Sequence, residues 1–512
     1  MTHGLTGYDA YVLDCSDNVQ KPLPQTFGRL GTRNPLSGIA PNGKPFDDTL
    51  VQEAFTKALD KMRDETNPES DVPAGMTFFG QFVDHDVTLD TQSAIGTRID
   101  PRSIRNVRTP ALDLDCVYGD GMDGSPWLYH PEHKGYLLFG TTKNRYDLAR
   151  NSHGTAMIGD PRNDENQIVS QLHGAMVCMH NILMTALQKD ESLVPAALAG
   201  IRSEAMDNGV KPSERPFEAA RRVLRLHYQW IILHDFLPAF VHKDVMKAIW
   251  KALDHTELPR PFTPASPMMP IEFSGAAYRF GHATVQNDYV LNSKSGKVRL
   301  FEMMRKEFHS RDTKLNIEFH RLFDVPGKPK AQRARPIGRK LASTIFELFF
   351  IDEPLTIAGR QLNLTDSRKL PHRNVFRDRV TLELPSGQQM ARLMNAKEIP
   401  APKELTEHGI TKTPLWYYCL HEAEKHGGKL GPVGGTIVAT TLVRLMAMDP
   451  ESLLCSAHDF KPWKALGAQA DGSFSLGHML ACVESSRDTI AHREDLLTGT
   501  VAAPVAPELE DA

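Results

Sequence analysis

Residues 75–87 read Gly-Met-Thr-Phe-Phe-Gly-Gln-Phe-Val-Asp-His-Asp-Val, and the pattern predicts a helix. On a helix Gln81 and His85 are four apart and share a face. Asp84 and Asp86 each lie about 100° from His85 around the axis, so the two carboxylates point in different directions. One can stand at the edge of the pocket that His85 faces while the other serves a separate site. Taken alone, the segment is more simply a helix with a solvated polar end.

Three further stretches carry chemistry-bearing residues. Gly159-Asp-Pro-Arg-Asn-Asp-Glu-Asn-Gln167 stands before a helical pattern that starts at 168. Acids at a helix start complement its dipole and cap free amides, which accounts for Asp164 and Glu165. It does not account for Arg162, a cation at the positive end of a dipole, which calls for an anionic or polar partner. Tyr278-Arg-Phe-Gly-His-Ala-Thr-Val285 sets His282 among apolar residues, with Gly281 leaving room for close approach to the backbone. By itself His282 reads as a hydrogen-bonded core histidine. In Thr109-Pro-Ala-Leu-Asp-Leu-Asp-Cys-Val-Tyr-Gly119, oxygen-bearing Thr109, Asp113 and Asp115 alternate with apolar residues. Calcium takes six to eight such oxygens. Three residues are too few alone, and Asp86 is a candidate for the missing carboxylate. A turn with solvated acids is the plainer alternative.

Around these stretches the chain reads as mainly α-helical. Helical spacing recurs over 168–186, 216–236, 337–350 and 435–448, and weak strand patterns fall at 297–301 and 380–384. Residues 17–47 read as an extended arm and 93–165 as mostly irregular. The balance of 59 basic and 63 acidic residues gives a net charge of −4, which argues against a dedicated nucleic-acid binder. The most apolar stretch, 228–241, is short and broken by His234, Asp235 and Pro238, so no membrane span is expected. The first residues show no secretory pattern, and the six scattered cysteines read as reduced core residues; both suggest a cytoplasmic protein.

In this order the four motifs resemble the peroxidase–cyclooxygenase superfamily, the animal-type haem peroxidases. The G-Q-x-x-D-H-D pattern lies at Gly80–Asp86, R-x-x-E at Arg162–Glu165, R-x-G-H at Arg279–His282, and the calcium loop at Thr109–Gly119. The resemblance implies one large, mainly α domain over 21–500 with long ordered loops and little β. An N-terminal extension over 1–20 and a tail over 501–512 flank it. It implies haem b and Ca²⁺ as cofactors. His85 is similar to the distal histidine, Arg162 to the distal arginine, Gln81 to the distal glutamine and His282 to the proximal iron ligand. Asp86, Thr109, Asp113, Asp115 and the carbonyl of Ala111 resemble the calcium ligands. Asp84 and Glu165 match the carboxylates that become ester-linked to haem. Asn374 resembles the asparagine that accepts the proximal N–H, and Arg279 and Arg377 the arginines near the propionates.

The implied activity is a peroxidase. It would reduce hydrogen peroxide, or an organic hydroperoxide, through a ferryl haem intermediate and oxidise a small donor, as in a response to oxidative stress. The sequence departs from the family at two places. Asn166 stands where myeloperoxidase links haem through a methionine, so no sulfonium link is expected. The stretch Asn374–Pro385 lacks the usual Asp-His-Gly and is one residue longer. With no secretory signal, the chain is most similar to a prokaryotic branch. The superfamily's fatty-acid dioxygenases are the alternative, but their radical tyrosine falls here on Arg279. A haem-free, calcium-stabilised interaction protein is a third reading, and filled catalytic positions argue against it.

Overall fold

The structure, a computed structural model, describes residues 27–34, 55–89, 106, 108, 111–198, 212–254, 259–262, 269–304, 309–357, 360–457 and 459–499. The extension 1–20, the tail 501–512, Cys15 and Thr109 lie outside them. The helix predicted from 75–87 forms over those residues as α1 (Gly75–Val87) and buries Phe78, Phe79, Phe82 and Val83. It packs against α2 (Gln167–Lys189), which in turn packs along α3 (Arg215–Ile231). Phe79 meets Tyr228 and Phe236 edge-on, and Phe82 meets Tyr228 and His173. Such pairs each add about 0.5–1.5 kcal/mol beyond area burial. α2 is buried around most of its circumference, so its polar residues need partners inside: Asn181 accepts the amide N–H of Leu137 and donates to that residue's carbonyl.

The C-terminal half supplies α4 (Leu370–Phe376), α5 (Leu415–Glu424), α6 (Pro432–Ala447) and α7 (Leu476–Ser486). Strands are two or three residues long. β1 (Phe27–Gly28) pairs with β3 (Met269–Pro270), β2 (Arg63–Asp64) with β6 (Leu341–Ala342), and β4 (Asp288–Val290) with β5 (Lys297–Arg299). The apolar side chains of both halves join in one core cluster. A bridge between Thr141 and Thr498 ties the C-terminal segment to the middle of the chain. The fold is thus a single large, mainly α domain with little β.

Two predicted elements differ. The helical spacing over 337–350 is instead β6 followed by a 3₁₀ turn at Ser343–Phe346. The Leu341 amide is taken by the Met62 carbonyl, so the backbone is spent on a strand ladder before a helix can form. The strand pattern over 380–384 is broken by a π turn at Arg377–Thr381 that continues α4, with Glu383 in the left-handed region at φ 46°. A π turn holds one more residue than an α turn, which absorbs the extra residue noted in this stretch. Of the described cysteines, all free, Cys116, Cys178 and Cys419 are buried as expected, but Cys455 is exposed and Cys482 half-buried. Among the described residues no helix is long and apolar enough to cross a membrane.

Candidate active site

α1 and the 3₁₀ segment Ala277–Ala283 bring His85 and His282 to one cavity of about 490 Å³. Gln81, Asp84, Asn166, Tyr278, Arg279, Arg373 and Arg377 also line it. Burial, then the Arg162 charge, holds the His85 imidazole at about 4; burial, then Arg279 and Arg377, holds His282 at about 3. Both rings are therefore neutral near pH 7 and keep a lone pair. His282 Nδ1 lies 2.9 Å from Asn374 Nδ2, and Asn374 Oδ1 is buried with no hydrogen-bond partner. The predicted pairing is present, but through the amide nitrogen. A half-turn of the amide exchanges its two atoms, lets the orphaned oxygen accept Nδ1–H, and leaves Nε2 with the lone pair. A side chain at Gly281 would meet nothing within 4 Å, so the backbone beside His282 borders open space.

Arg162 and Glu165 are not on the cavity wall. Arg162 is drawn to the buried carboxylate of Asp160, and its Nη2 also donates to the carbonyls of Thr88 (2.6 Å) and His85 (3.2 Å). Its partner is thus the C-terminal end of α1, where a cation is favourable. Burial raises the Glu165 carboxyl. Asp164 does not cap α2; it pairs with buried Arg150, and Asn166 is the cap, accepting from Ile168 N and Val169 N. Asp84 lines the cavity and accepts from Thr88 Oγ1. Three lining or supporting residues escape the sequence reading: Asn163, whose Oδ1 is 2.8 Å from His85 Nδ1; His173, 3.1 Å from Asn163; and Arg373. Arg373 was findable, being one helical turn before Arg377. Nothing in the sequence connects His173 to His85.

The carboxylates of Asp86, Asp113 and Asp115 gather with ligand oxygens within 4.8 Å of one another, and Asp86 Oδ1 has no hydrogen-bond partner. Burial, then the charge of Asp113, pushes Asp86 up to about 7. Leu112 and Leu114, on either side of Asp113, sit in the left-handed region at φ 51° and 63°. Bulky residues rarely adopt that conformation, so the loop is held under strain. A side chain at Gly159 would strike the carbonyl oxygens of Asp115 and Cys116 at 2.6 Å, so glycine is required for the Arg162 segment to lie against this loop. The Ala111 carbonyl accepts a 3.4 Å contact from Arg225 Nη2.

The model of the animal haem peroxidase family matches residues 93–450, well over half of the chain and including the loop, Arg162, His282 and Asn374. The chain belongs to the animal haem peroxidase family. It is 25% identical over 298 residues to the chorion peroxidase of Drosophila melanogaster, covering 57% of this chain and 34%, about a third, of that protein's length. Among solved structures, peroxidase A of Dictyostelium discoideum superposes with a TM-score of 0.57 at 14% identity, covering 97% of this chain and 98% of that one. A fatty acid alpha-dioxygenase of Arabidopsis thaliana gives 0.56 at 13%, covering 92% and 77%. These likenesses share the fold. The donor set fits the family's haem: a neutral, half-buried imidazole with an amide behind it, open space at Gly281, and three arginines on the wall. In the 3₁₀ segment residues three apart eclipse, so Arg279 shares the His282 direction and Tyr278 lies about a third of a turn away. Tyr278 donates its hydroxyl proton to the Gly80 carbonyl at 3.0 Å, and burial raises its phenol well above the usual range.

Proposed function

We propose that the chain is a haem peroxidase that reduces hydrogen peroxide or a small organic hydroperoxide and oxidises a small donor. The observation that carries this reading is two neutral imidazoles, buried His85 and half-buried His282, on separate elements around one cavity. Haem, when bound, supplies the redox chemistry that side chains lack. His282 would hold the iron, and Arg279, Arg373 and Arg377, which line the cavity, would pair with the propionates. His85 takes a proton from the peroxide and returns it to the departing oxygen, as base and then acid. Gln81, on the same face of α1, orients the peroxide or water by hydrogen bonding. Arg162 acts from behind the wall: its charge favours neutral His85, and its contacts fix the end of α1. The test is the Soret band of the haem-loaded protein after one equivalent of peroxide, followed by a phenolic donor. A band that changes within mixing and then returns supports the reading; an inert band overturns it.

A second reading, fatty-acid oxygenation, draws support from the apolar part of the wall: Leu300, Phe301, Met304, Leu348, Phe350 and Ile351. Oxygen uptake on adding a long-chain fatty acid would favour it. We further propose Ca²⁺ at Asp86, Asp113 and Asp115, with the Ala111 carbonyl as a further ligand; Thr109, expected with them, lies outside the described residues. Chelation is expected to lower Tm and calcium to restore it. Free calcium at one hundred times Kd adds about 2.7 kcal/mol to stability. An unchanged melting curve would remove calcium from the site. Ester links are proposed through Asp84 before Glu165, because Asp84 lines the cavity and Glu165 does not. Acid–acetone extraction after peroxide turnover should leave haem on the chain and release it from Asp84→Asn; complete release from the unmodified chain excludes the link.

A further inference from the structure

His85 and His173 are joined through one side chain. Asn163 Oδ1 lies 2.8 Å from His85 Nδ1 and Asn163 Nδ2 lies 3.1 Å from His173 Nδ1, with all three residues buried. An amide oxygen only accepts and an amide nitrogen only donates. In this orientation His85 carries its proton on Nδ1, and Nε2 is the bare nitrogen. His173 offers its lone pair at Nδ1, which puts its own proton on Nε2. That nitrogen is buried with no hydrogen-bond partner. Orphaned buried polar atoms are costly, and an apolar residue at 173 would avoid the cost. What histidine adds there, in its Nε2–H tautomer, is an acceptor for the Asn163 amide. Turned over, that amide would set Nδ2 against His85 Nδ1 and move the His85 proton to Nε2. The base would then be lost from the nitrogen left for the cavity.

We propose that Asn163 and His173 are positioning residues that select the tautomer of His85: His173 orients the amide, and the amide oxygen holds Nδ1–H so that Nε2 stays bare. The consequence for catalysis rests on the peroxidase reading; the geometry does not. The proton taken from peroxide enters and leaves at Nε2. The Nδ1 proton stays in place, and Asn163 Oδ1 stabilises it while the ring is charged. A structural role alone would leave the tautomer unmoved.

The experiment is ¹⁵N NMR of histidine-labelled, haem-loaded protein in the diamagnetic ferrous carbon monoxide form, with the peroxide reaction rate measured alongside. His85 is expected to show Nδ1–H in the unmodified chain. In Asn163→Leu it is expected to shift to Nε2–H or a mixture, with the rate down about 10²-fold, the low end of what a positioned acid–base residue contributes. Asn163→Asp, whose carboxylate also accepts, is expected to restore both. His173→Leu tests the same point without altering the direct partner of His85, and is expected to slow the reaction about tenfold. Asn163→Leu/His173→Leu should be no slower than Asn163→Leu alone. Retained haem content shows that each variant folds. Nε2–H on His85 in the unmodified chain overturns the proposal, as does a tautomer that moves in neither single variant. If the tautomer shifts as stated but the unmodified chain leaves peroxide untouched, the positioning stands and the peroxidase reading falls.

Discussion

His282→Ala is expected to abolish stable haem retention: after gel filtration the Soret band should be lost, while far-UV circular dichroism stays unchanged. The physical reason is that one nitrogen carries the ligation. Burial and two neighbouring arginines keep His282 neutral, and the side chain at its other nitrogen is an amide rather than an acid. A neutral partner leaves the imidazole neutral, whereas a carboxylate would draw it toward imidazolate. Alanine removes the donor and opens a hole next to space that already borders Gly281. Free imidazole should therefore enter and restore the band. Full haem content in His282→Ala, with no response to imidazole, would place the iron ligand elsewhere.

His85→Ala is expected to keep its haem and to react with peroxide about 10³-fold more slowly, within the range contributed by a positioned acid–base residue. His85 makes no hydrogen bond to His282 or Asn374, so its removal leaves that pair intact. Stopped-flow measurement of the Soret change against peroxide concentration gives the second-order constant directly. A rate within threefold of the unmodified chain would show that another group moves the proton. The loss should exceed that of Asn163→Leu, because deleting the base removes more than misplacing its proton.

Much of this was legible in the sequence where a motif is local. Gln81, His85 and Asp86 lie on one helix of the predicted extent, and the alternation of Asp113 and Asp115 fits the carboxylate cluster that forms. Arg162 was read correctly as needing a partner, yet the partner is Asp160 and the end of α1, because a buried carboxylate two residues away outcompetes an open cavity. The 337–350 stretch misled because helical spacing records which side chains face the core. It does not record which backbone amide is claimed by a distant strand. His173 was invisible for a related reason: an isolated polar residue on a buried helix has no period, and its meaning, like that of Asn163 in the 3₁₀ turn Pro161–Asp164, lies in a contact from another element.

The bridge between Thr141 and Thr498, and the reach of Asn374 back across 92 residues to His282, have a consequence for biosynthesis. At about 5–20 residues per second, the ribosome delivers Thr498 roughly 20 to 70 seconds after Thr141. In the later part of that interval, once residue 282 is made, the nascent chain carries His85 and His282 before the C-terminal segment has paired with Thr141. Chains truncated before Asn374 lack the amide that faces His282 and are expected to hold haem less firmly than the full chain, which the Soret band after gel filtration measures.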